Sequence, residues 1–308
     1  MSLRAEQLGL RVSGTPLVNN VDLEVAAGSV TVVLGPNGAG KSSLLRLMVG
    51  DVAPSQGKAL LHGEEVRGIP SAERARSLAV LPQHSLLNFP FTSAEVVMLG
   101  RTPHDTGASR DAQIVEDALQ AVDGSYLAQR TYTELSGGEK QRVHLARVLA
   151  QVWEPLNGRE RFLVLDEPTS SFDLAHQQLT LEIVRRLAEQ GMGVLLVLHD
   201  LNLAARCADQ LVLMQCGHLV AKGAPGEVLT EDVIRDVFQV EVSVTTHPSV
   251  ICGARLTIRR AGSGNMTSRP TSSTSRTSAA TVSGSMRQSR LRKRIKSPPA
   301  GHRPRDAW

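Results

Sequence analysis

An eight-residue stretch, Gly35-Pro-Asn-Gly-Ala-Gly-Lys-Ser42, constrains the fold of this chain more than any other feature of its sequence. It fits the pattern G-x-x-x-x-G-K-[ST], in which glycines let backbone N–H groups turn toward a phosphate without an obstructing Cβ. Such a loop joins a buried strand to a helix. The β-branched run 29–34 predicts the strand, and the apolar residues of 43–49 predict the helix. The stretch therefore predicts a phosphate-binding loop.

The predicted loop contains the donors that a nucleoside triphosphate needs. The helix that begins at about Lys41 directs the positive end of its dipole at the bound anion. We expect the Lys41 ammonium to contact the β- and γ-phosphates and the Ser42 hydroxyl to bind Mg²⁺. The candidate nucleotide-binding residues are Gly35, Pro36, Asn37, Gly38, Ala39, Gly40, Lys41, Ser42 and Ser43.

Two adjacent carboxylates supply the acidic group that a phosphate loop requires. The apolar run 162–165 predicts a buried strand, and Asp166 and Glu167 follow at its end. We expect Asp166 to hold Mg²⁺, directly or through water, and Glu167 to orient or deprotonate the hydrolytic water. The alternative is a simple strand-to-loop turn at this point. The phosphate loop earlier in the chain favours the catalytic interpretation.

The order of predicted elements indicates an α/β fold. Residues 3–34 alternate apolar and polar side chains, which predicts antiparallel strands leading into the phosphate loop. Residues of about 84–150 show helical spacing, and strands and helices alternate after that. We therefore predict a mostly parallel core sheet, an antiparallel β subdomain and a helical insertion subdomain.

The body and the tail of the chain differ in charge. Residues 259–308 hold 12 Lys or Arg and a single acid, whereas the preceding 258 residues hold 22 basic and 29 acidic side chains. The Ser/Thr/Arg-rich tail predicts disorder, with attraction to anionic lipid or nucleic acid as the alternative. The body gives no reason to expect nucleic-acid binding. No apolar run reaches the ~18–20 residues of a membrane span, and we see no secretory signal.

The segment Leu135-Ser-Gly-Gly-Glu139, followed by Lys-Gln-Arg142, narrows the prediction to one family. With the phosphate loop and the paired carboxylates, the chain resembles the nucleotide-binding subunit of an ATP-binding-cassette (ABC) transporter over about residues 3–250. The resemblance implies ATP as ligand. It also implies that Ser136, Gly137 and Gly138, at a helix N-terminus, close over ATP bound by a second copy. The alternative is an ordinary glycine-containing helix cap.

The same resemblance assigns roles to further residues. Gln83 stands where the family senses the γ-phosphate and meets the membrane subunit, His199 where it has a switch histidine, and 170–173 where a loop crosses the dimer interface. The implied ABC ATPase domain is 1–258, with the helical subdomain at about 84–150. The implied catalytic residues are Glu167, His199 and Gln83, and the implied Mg²⁺ ligands are Ser42, Gln83 and Asp166.

Two positions depart from the family pattern. Val12, or Arg11 beside it, stands where many members stack an aromatic ring on adenine, which puts base selectivity in doubt. Phe172 replaces the common leucine of the interface loop, and we expect this to alter dimer packing more than chemistry.

The cargo is indicated by resemblance alone. Phe89-Pro-Phe-Thr92 and residues 95–104 are similar to segments of importers of iron chelates, haem and cobalamin. Residues 145–151, the extra loop 152–160 and Asp173-Leu-Ala-His-Gln177 are most similar to haem (hemin) importers. A ferric-siderophore or cobalamin importer is the alternative. A soluble ABC ATPase of DNA repair or translation is less consistent, because the chain has neither a coiled-coil insertion nor a second cassette. A kinase would have no use for Leu135–Glu139.

The resemblance also implies partners. It predicts a homodimer on two separate membrane permease subunits, peripheral at the cytoplasmic face of the cell membrane. A periplasmic haem-binding protein would act with them indirectly, and no nucleic acid is expected as a partner.

Overall fold

In the computed structural model, residues 2–83, 87–155, 158–170, 172–246 and 254–258 are described. All of them belong to a unit that extends from Met1 to Gly262. The strands are β1 Ser2–Val12, β2 Thr15–Ala26, β3 Val30–Leu34, β4 Gln56–Leu61, β5 Glu64–Glu65, β6 Leu78–Leu81, β7 Phe162–Asp166, β8 Gly193–Val197, β9 Gln210–Gln215, β10 His218–Gly223, β11 Val242–Thr246 and β12 Ala254–Ile258.

Helices connect most of these strands. The α-helices are α1 Lys41–Met48, α2 Ser71–Ser77, α3 Ser93–Met98, α4 Ala108–Ala121, α5 Gly137–Gln151, α6 Leu174–Glu189, α7 Leu201–Cys207, α8 Pro225–Val228 and α9 Glu231–Phe238. Short 3₁₀ turns lie at Leu99–Arg101, Ser125–Leu127 and Tyr132–Glu134. In the described part of the chain, no helix is long and apolar enough to cross a membrane.

The core sheet has the strand order β10-β9-β3-β8-β7-β6. Its strands are parallel except β10, which pairs antiparallel with β9 at the edge. Every residue of β3, β7 and β8 is buried, as their continuous apolar runs require in a sheet covered on both faces. Because the strands are parallel, their carboxyl ends meet at one edge.

Side chains alternate between the two faces of this sheet. On one face, Val33 and Val197 belong to the same apolar cluster as residues of helix α1 and of the antiparallel strands β1, β2 and β4. On the other face, Val32 and Leu196 belong to a cluster that includes residues of α3–α7. The core sheet is thus packed on both faces, and this packing fixes the position of its carboxyl edge.

A helical segment lies between β6 and β7. The Thr92 side chain accepts a hydrogen bond from the Glu95 N–H, and the Glu95 carboxylate accepts one from the Thr92 N–H, which starts α3 with a capping box. The buried Arg101 guanidinium ties the segment together: Nε lies 2.8 Å from Oδ1 of Asp111 in α4, and Nη1 donates to the Ala150 carbonyl of α5 at 2.8 Å.

The predicted fold class is confirmed, and each strand and helix that the sequence indicated is present. The residues on either side of the phosphate loop form β3 and α1, as predicted. Helices α2, α8 and α9 and strands β5, β10, β11 and β12 were not predicted. The division into a domain of 1–258 and a tail stays a prediction, and the predicted disorder of 259–308 lies outside the described residues.

Candidate nucleotide site

The register of the parallel strands brings the candidate residues to one edge of the sheet. Val197 of β8 pairs with Val33 of β3 on one side and with Asp166 of β7 on the other. Beyond this row of paired residues, the chain continues from each strand for one or two residues to the candidate site. The phosphate loop, Glu167 and His199 therefore emerge side by side. Leu81 of β6 pairs with Leu165, which places Gln83 at the same edge beyond β7.

Two glycines of the phosphate loop are required by close backbone contacts. Gly35 has φ 152°, and a Cβ there would lie 2.2 Å from the Met214 carbonyl oxygen. Gly40 precedes α1 with φ 98°, and a Cβ there would lie 2.3 Å from the Leu17 carbonyl oxygen. Any side chain at either position would force the loop away from its neighbours.

The turn into α1 presents backbone donors. The earliest backbone bond of this helix runs from the Leu44 N–H to the Gly40 carbonyl at 2.8 Å. Within the described residues, the N–H groups of Lys41, Ser42 and Ser43 have no hydrogen-bond acceptor, as expected of a first helical turn. These donors and the helix dipole make an anion site.

Lys41 is held inside the loop. Its ammonium donates to the carbonyl oxygens of Gly35 at 2.9 Å and Pro36 at 3.1 Å, and the residue is only 6% exposed. Burial lowers the pKa of Lys41, and the negative charges of Glu167 and Asp166 oppose that shift. The loop therefore holds the positive charge of Lys41 next to the carboxyl end of β3.

Asp166 has the features of a metal-binding carboxylate. It is buried, and its Oδ1 has no hydrogen-bond partner among the described residues. Burial raises its pKa, the Ser42 hydroxyl lowers it, and the nearby Glu167 raises it further. A cation would remove both the desolvation cost and the unmet acceptor. Among the described residues, no group of three or more His, Cys, Asp or Glu side chains is placed to hold a metal ion, so this carboxylate fits Mg²⁺ only together with hydroxyl, amide and phosphate oxygens.

Glu167 is the centre of a hydrogen-bonded group. Its backbone has φ 53°, an unusual conformation for a non-glycine residue, and its side chain is 11% exposed. Gln83 Nε2 donates to Oε2 at 2.8 Å, and His199 Nε2 lies 2.5 Å from Oε1. The structure thus joins the three predicted catalytic residues directly, a contact that their separate positions in the sequence did not indicate.

The segment Ser136–Gly138 begins α5. The Ser136 hydroxyl accepts from the Glu139 N–H, and the Glu139 carboxylate accepts from the Ser136 N–H and contacts Arg130 at 2.6 Å. Ser136 and Gly137 are exposed. Within the described part of the chain, no hydrogen bond or ion pair links this segment to the phosphate loop. A single chain therefore does not bring these two predicted parts of the site together.

The turn between β9 and β10 also supports the loop. Gly217 donates from its N–H to the Ala39 carbonyl at 3.0 Å and accepts from the Asn19 N–H at 2.8 Å. This contact was not predicted from the sequence. Its signal was Cys216-Gly217, a glycine between two alternating apolar runs, which is typical of a hairpin turn.

The comparisons with known proteins agree with this geometry. The sequence pattern of the ABC transporter family matches residues 18–170. A protein of Pseudomonas fluorescens called "Hemin import ATP-binding protein HmuV" is 50% identical over 246 residues, which cover 80% of this chain and 96% of that protein. The chain belongs to the ABC transporter family. Proteins of the same name from Pseudomonas aeruginosa (50% over 246 residues, 80% and 96% covered) and Gloeobacter violaceus (48% over 252 residues, 81% and 92% covered) are also similar.

Solved structures of ABC transporters share the fold. An inward-facing ABC transporter described as being of metal-chelate type superposes with a TM-score of 0.68 at 26% identity, covering 84% of this chain and 97% of that chain. The protein cbiO1 of Clostridium perfringens, part of the ABC transporter complex cbiONQ, has a TM-score of 0.63 at 25% identity, covering 77% and 94%. The resemblance inferred from the motifs is thereby confirmed, and the chain is an ATP-binding ABC ATPase subunit.

Proposed function

We propose that this ABC subunit hydrolyses ATP to power a bacterial hemin importer. The observation that carries the ATPase assignment is the group Glu167–Gln83–His199, located beside Asp166 and Lys41 at the mouth of the phosphate loop. The hemin assignment rests on relatives with 48–50% identity that are called hemin import ATP-binding proteins.

Phosphate binding and proton transfer fall to different residues of the site. Lys41 and the first-turn N–H groups of α1 bind the β- and γ-phosphates, with Gly35, Pro36, Asn37, Gly38, Ala39, Gly40, Ser42 and Ser43 forming the loop around them. Glu167 accepts the proton of the attacking water. Both of its oxygens are engaged in this state, by Gln83 and by His199. A water that displaces one of these partners is oriented by the other.

Three residues would hold Mg²⁺: Ser42, Gln83 and Asp166. The bound ion would neutralise charge on the β- and γ-phosphate oxygens. The buried Oδ1 of Asp166, which lacks a protein partner within the described residues, supports this assignment. Because Gln83 also donates a hydrogen bond to Glu167, it would connect the metal ion to the general base.

A second copy would complete the site. Ser136 and Gly137 are exposed at a helix N-terminus that also includes Gly138, and the capping box there joins Ser136 to Glu139. Such an end binds anions. We propose that it closes on the γ-phosphate held by the other copy, so that ATP joins the two and hydrolysis separates them.

Several apolar side chains in the segment 89–99 are exposed. Phe89 is 63% exposed, and Phe91, Met98 and Leu99 are 37–43% exposed. The rings of Phe89 and Phe91 lie 5.8 Å apart. Exposed apolar patches of this kind typically bind another protein. We propose that each of two permease subunits inserts a cytoplasmic segment here, which would hold the ATPase dimer at the cytoplasmic face of the membrane. A periplasmic haem-binding protein would deliver the cargo.

The direct test is reconstitution of the full chain with its permease in lipid vesicles. Hemin-loaded binding protein is expected to stimulate ATP hydrolysis, and ferric-siderophore-loaded protein is expected not to. Stimulation by the siderophore alone would show that hemin is the wrong cargo. Phe89→Asp is expected to abolish the stimulation, whereas Val220→Asp, at a 47% exposed valine on β10, is expected to keep it.

A further inference from the structure

A cavity of about 270 Å³ lies at the amino edge of the core sheet, where its parallel strands begin. Its wall includes Leu149 near the end of α5, Leu187 near the end of α6, and Met192 just before β8. We call it the α5–α6 cavity. Because the phosphate loop follows the carboxyl end of β3, which is parallel to β8, the nucleotide site lies at the opposite edge.

We infer that the α5–α6 cavity binds a medium-chain fatty acid as its carboxylate, with the alkyl chain inside and the charged group at the mouth. The inference is independent of the proposed ATPase function, because none of the nucleotide-binding or catalytic residues lines the cavity.

The inner wall of the α5–α6 cavity is apolar. Leu149, Val152, Ile183 and Met192 line it, and each of them is buried. The half-buried indole ring of Trp153 belongs to the same wall. Water inside such a wall finds few hydrogen-bond partners, and an alkyl chain gains by leaving solvent for it. The interior therefore favours an apolar ligand body.

The mouth of the cavity is polar and positively charged. Arg186 on α6 and Gln190 just after it line the cavity, and both are exposed. The neighbouring Arg185 is paired with Asp209, whereas Arg186 has no ion-pair partner among the described residues. A free guanidinium can donate two parallel hydrogen bonds to one carboxylate. The mouth therefore suits an anionic group that is joined to an apolar body.

A second guanidinium lies next to the cavity wall. Arg161 is only 8% exposed, and its Nη1 donates to the carbonyl oxygens of Val152 and of Trp153, the latter at 2.9 Å. These carbonyls lie at the negative end of the α5 dipole, which would otherwise repel an anion. In the described part of the chain, Arg161 has no carboxylate partner, and burial lowers its pKa. A carboxylate bound nearby would stabilise this charge.

The acidic side chains of the neighbourhood do not cancel this positive charge. Among the described residues, no Asp or Glu lines the cavity. Glu154, which follows Trp153, is already paired with Arg101 and Arg110. Glu182 and Glu189 line a separate depression between α6 and α7. The cavity lining itself thus carries a net positive charge, which favours an anion over a cation or a neutral ligand.

The volume of the cavity limits the ligand to a small one. Sites for drug-sized ligands typically enclose ~300–1,000 Å³, and about 270 Å³ lies just below that range. Hemin is too large for such a space, so the cavity is not a site for the proposed cargo. Octanoate, a short member of the proposed class, is therefore the probe of choice.

Fluorescence of Trp153 in the full-length chain tests the inference. The sequence contains one other tryptophan, and Trp308→Phe removes it. Sodium octanoate is expected to change the emission of Trp153 with saturation, at a midpoint below about 1 mM. The neutral 1-octanol should bind about tenfold more weakly, because it lacks the charge-assisted hydrogen bonds. The absence of a saturable change, or equal affinity for the two ligands, would overturn the inference.

A substitution at the mouth locates the carboxylate. In the Trp308→Phe background, Arg186→Gln should weaken octanoate binding by about tenfold and leave 1-octanol binding unchanged. Arg235→Gln, at an exposed arginine of α9, is the matched control and is expected to change neither affinity. Full octanoate affinity in Arg186→Gln, or an equal loss in both variants, would show that the carboxylate is not held at this mouth.

Discussion

The phosphate loop and the segment Ser136–Gly138 are both helix N-termini, but a single chain completes only one of them. The loop is enclosed: Gly35 and Gly40 pack against backbone carbonyls, Lys41 is buried, and Glu167 lies nearby. Ser136 and Gly137 are exposed, and α5 begins with a capping box between Ser136 and Glu139, whose carboxylate also contacts Arg130. One half of the site is therefore preformed, and the other is available to a second molecule.

The preformed half of the site lowers the stability of the fold, because it buries charged groups. Burial of Asp166 and Lys41 disfavours the charged form of each, and the pKa of each shifts accordingly. Such costs are typical of sites that await a charged ligand. The exposed half has no such cost, because the capping box satisfies its own donors. Substitutions in the two halves should therefore affect different quantities.

The largest effect is expected from Glu167→Gln in the preformed half. Removing the general base should lower turnover by about 10²–10⁴-fold while ATP binding persists, and the ATP-bound dimer should accumulate. ATPase rates and size-exclusion chromatography with ATP measure both effects. Undiminished hydrolysis would contradict the role given to Glu167.

A somewhat smaller loss is expected from Gly137→Asp in the exposed half. No atom lies within 4 Å of a Cβ at this position, and an acid in the first turn of a helix is stabilising. The fold should persist, and ATP should still bind to the phosphate loop. The added charge should repel the γ-phosphate and lower hydrolysis by about 10²-fold. A variant that fails to bind ATP at all would show that the halves are not separate.

Asp166→Asn should reveal the cost of the preformed half as a gain in stability. Burial raises the pKa of Asp166 in the folded chain, so its contribution to stability is full below the unfolded pKa and is lost as pH rises through the folded pKa. At pH 7 the substitution should raise the Tm of the nucleotide-free protein, by about 2–4 °C per kcal/mol in a domain of this size. The gain should vanish near pH 4, and Mg²⁺-dependent ATP binding should be lost. A lowered Tm at pH 7 would contradict this.

The smallest effect is expected from deletion of residues 263–308. Both halves of the site lie before residue 200, and the basic tail has the composition of a segment that does not fold. ATPase activity should change less than about twofold, within the range of ordinary surface changes. A large loss of ATPase activity would show that residues 263–308 contribute to hydrolysis.

Much of the fold could be predicted because the signals are local. The all-apolar runs of β3, β7 and β8, and the glycine pattern between β3 and α1, indicate their structure directly. Helix α2 has a single buried residue, Ser77, and β10 is only partly covered, so neither shows a strong apolar period. These elements depend on tertiary contacts that one sequence does not display.

The individual residues of the candidate site could be predicted from the sequence, but the contacts between them could not. Motifs identified Gln83, Glu167 and His199 separately. Their meeting follows from the register of β6, β7 and β8, which the sequence does not specify. The support given to the phosphate loop by Leu17 and Gly217 depends on segments nearly 200 residues apart, and no local pattern encodes such a contact.

Mixing two inactive variants tests whether each ATP site is shared by two copies. Lys41→Ala disables the phosphate loop and Gly137→Asp disables the exposed half. In a mixed dimer, one site combines both defects and the other combines the intact loop of one copy with the intact Ser136–Gly138 of its partner. If the sites are shared, ATPase activity, negligible for either variant alone, returns on mixing. If mixing restores no activity while mixed dimers are shown to form, the two halves do not act across copies.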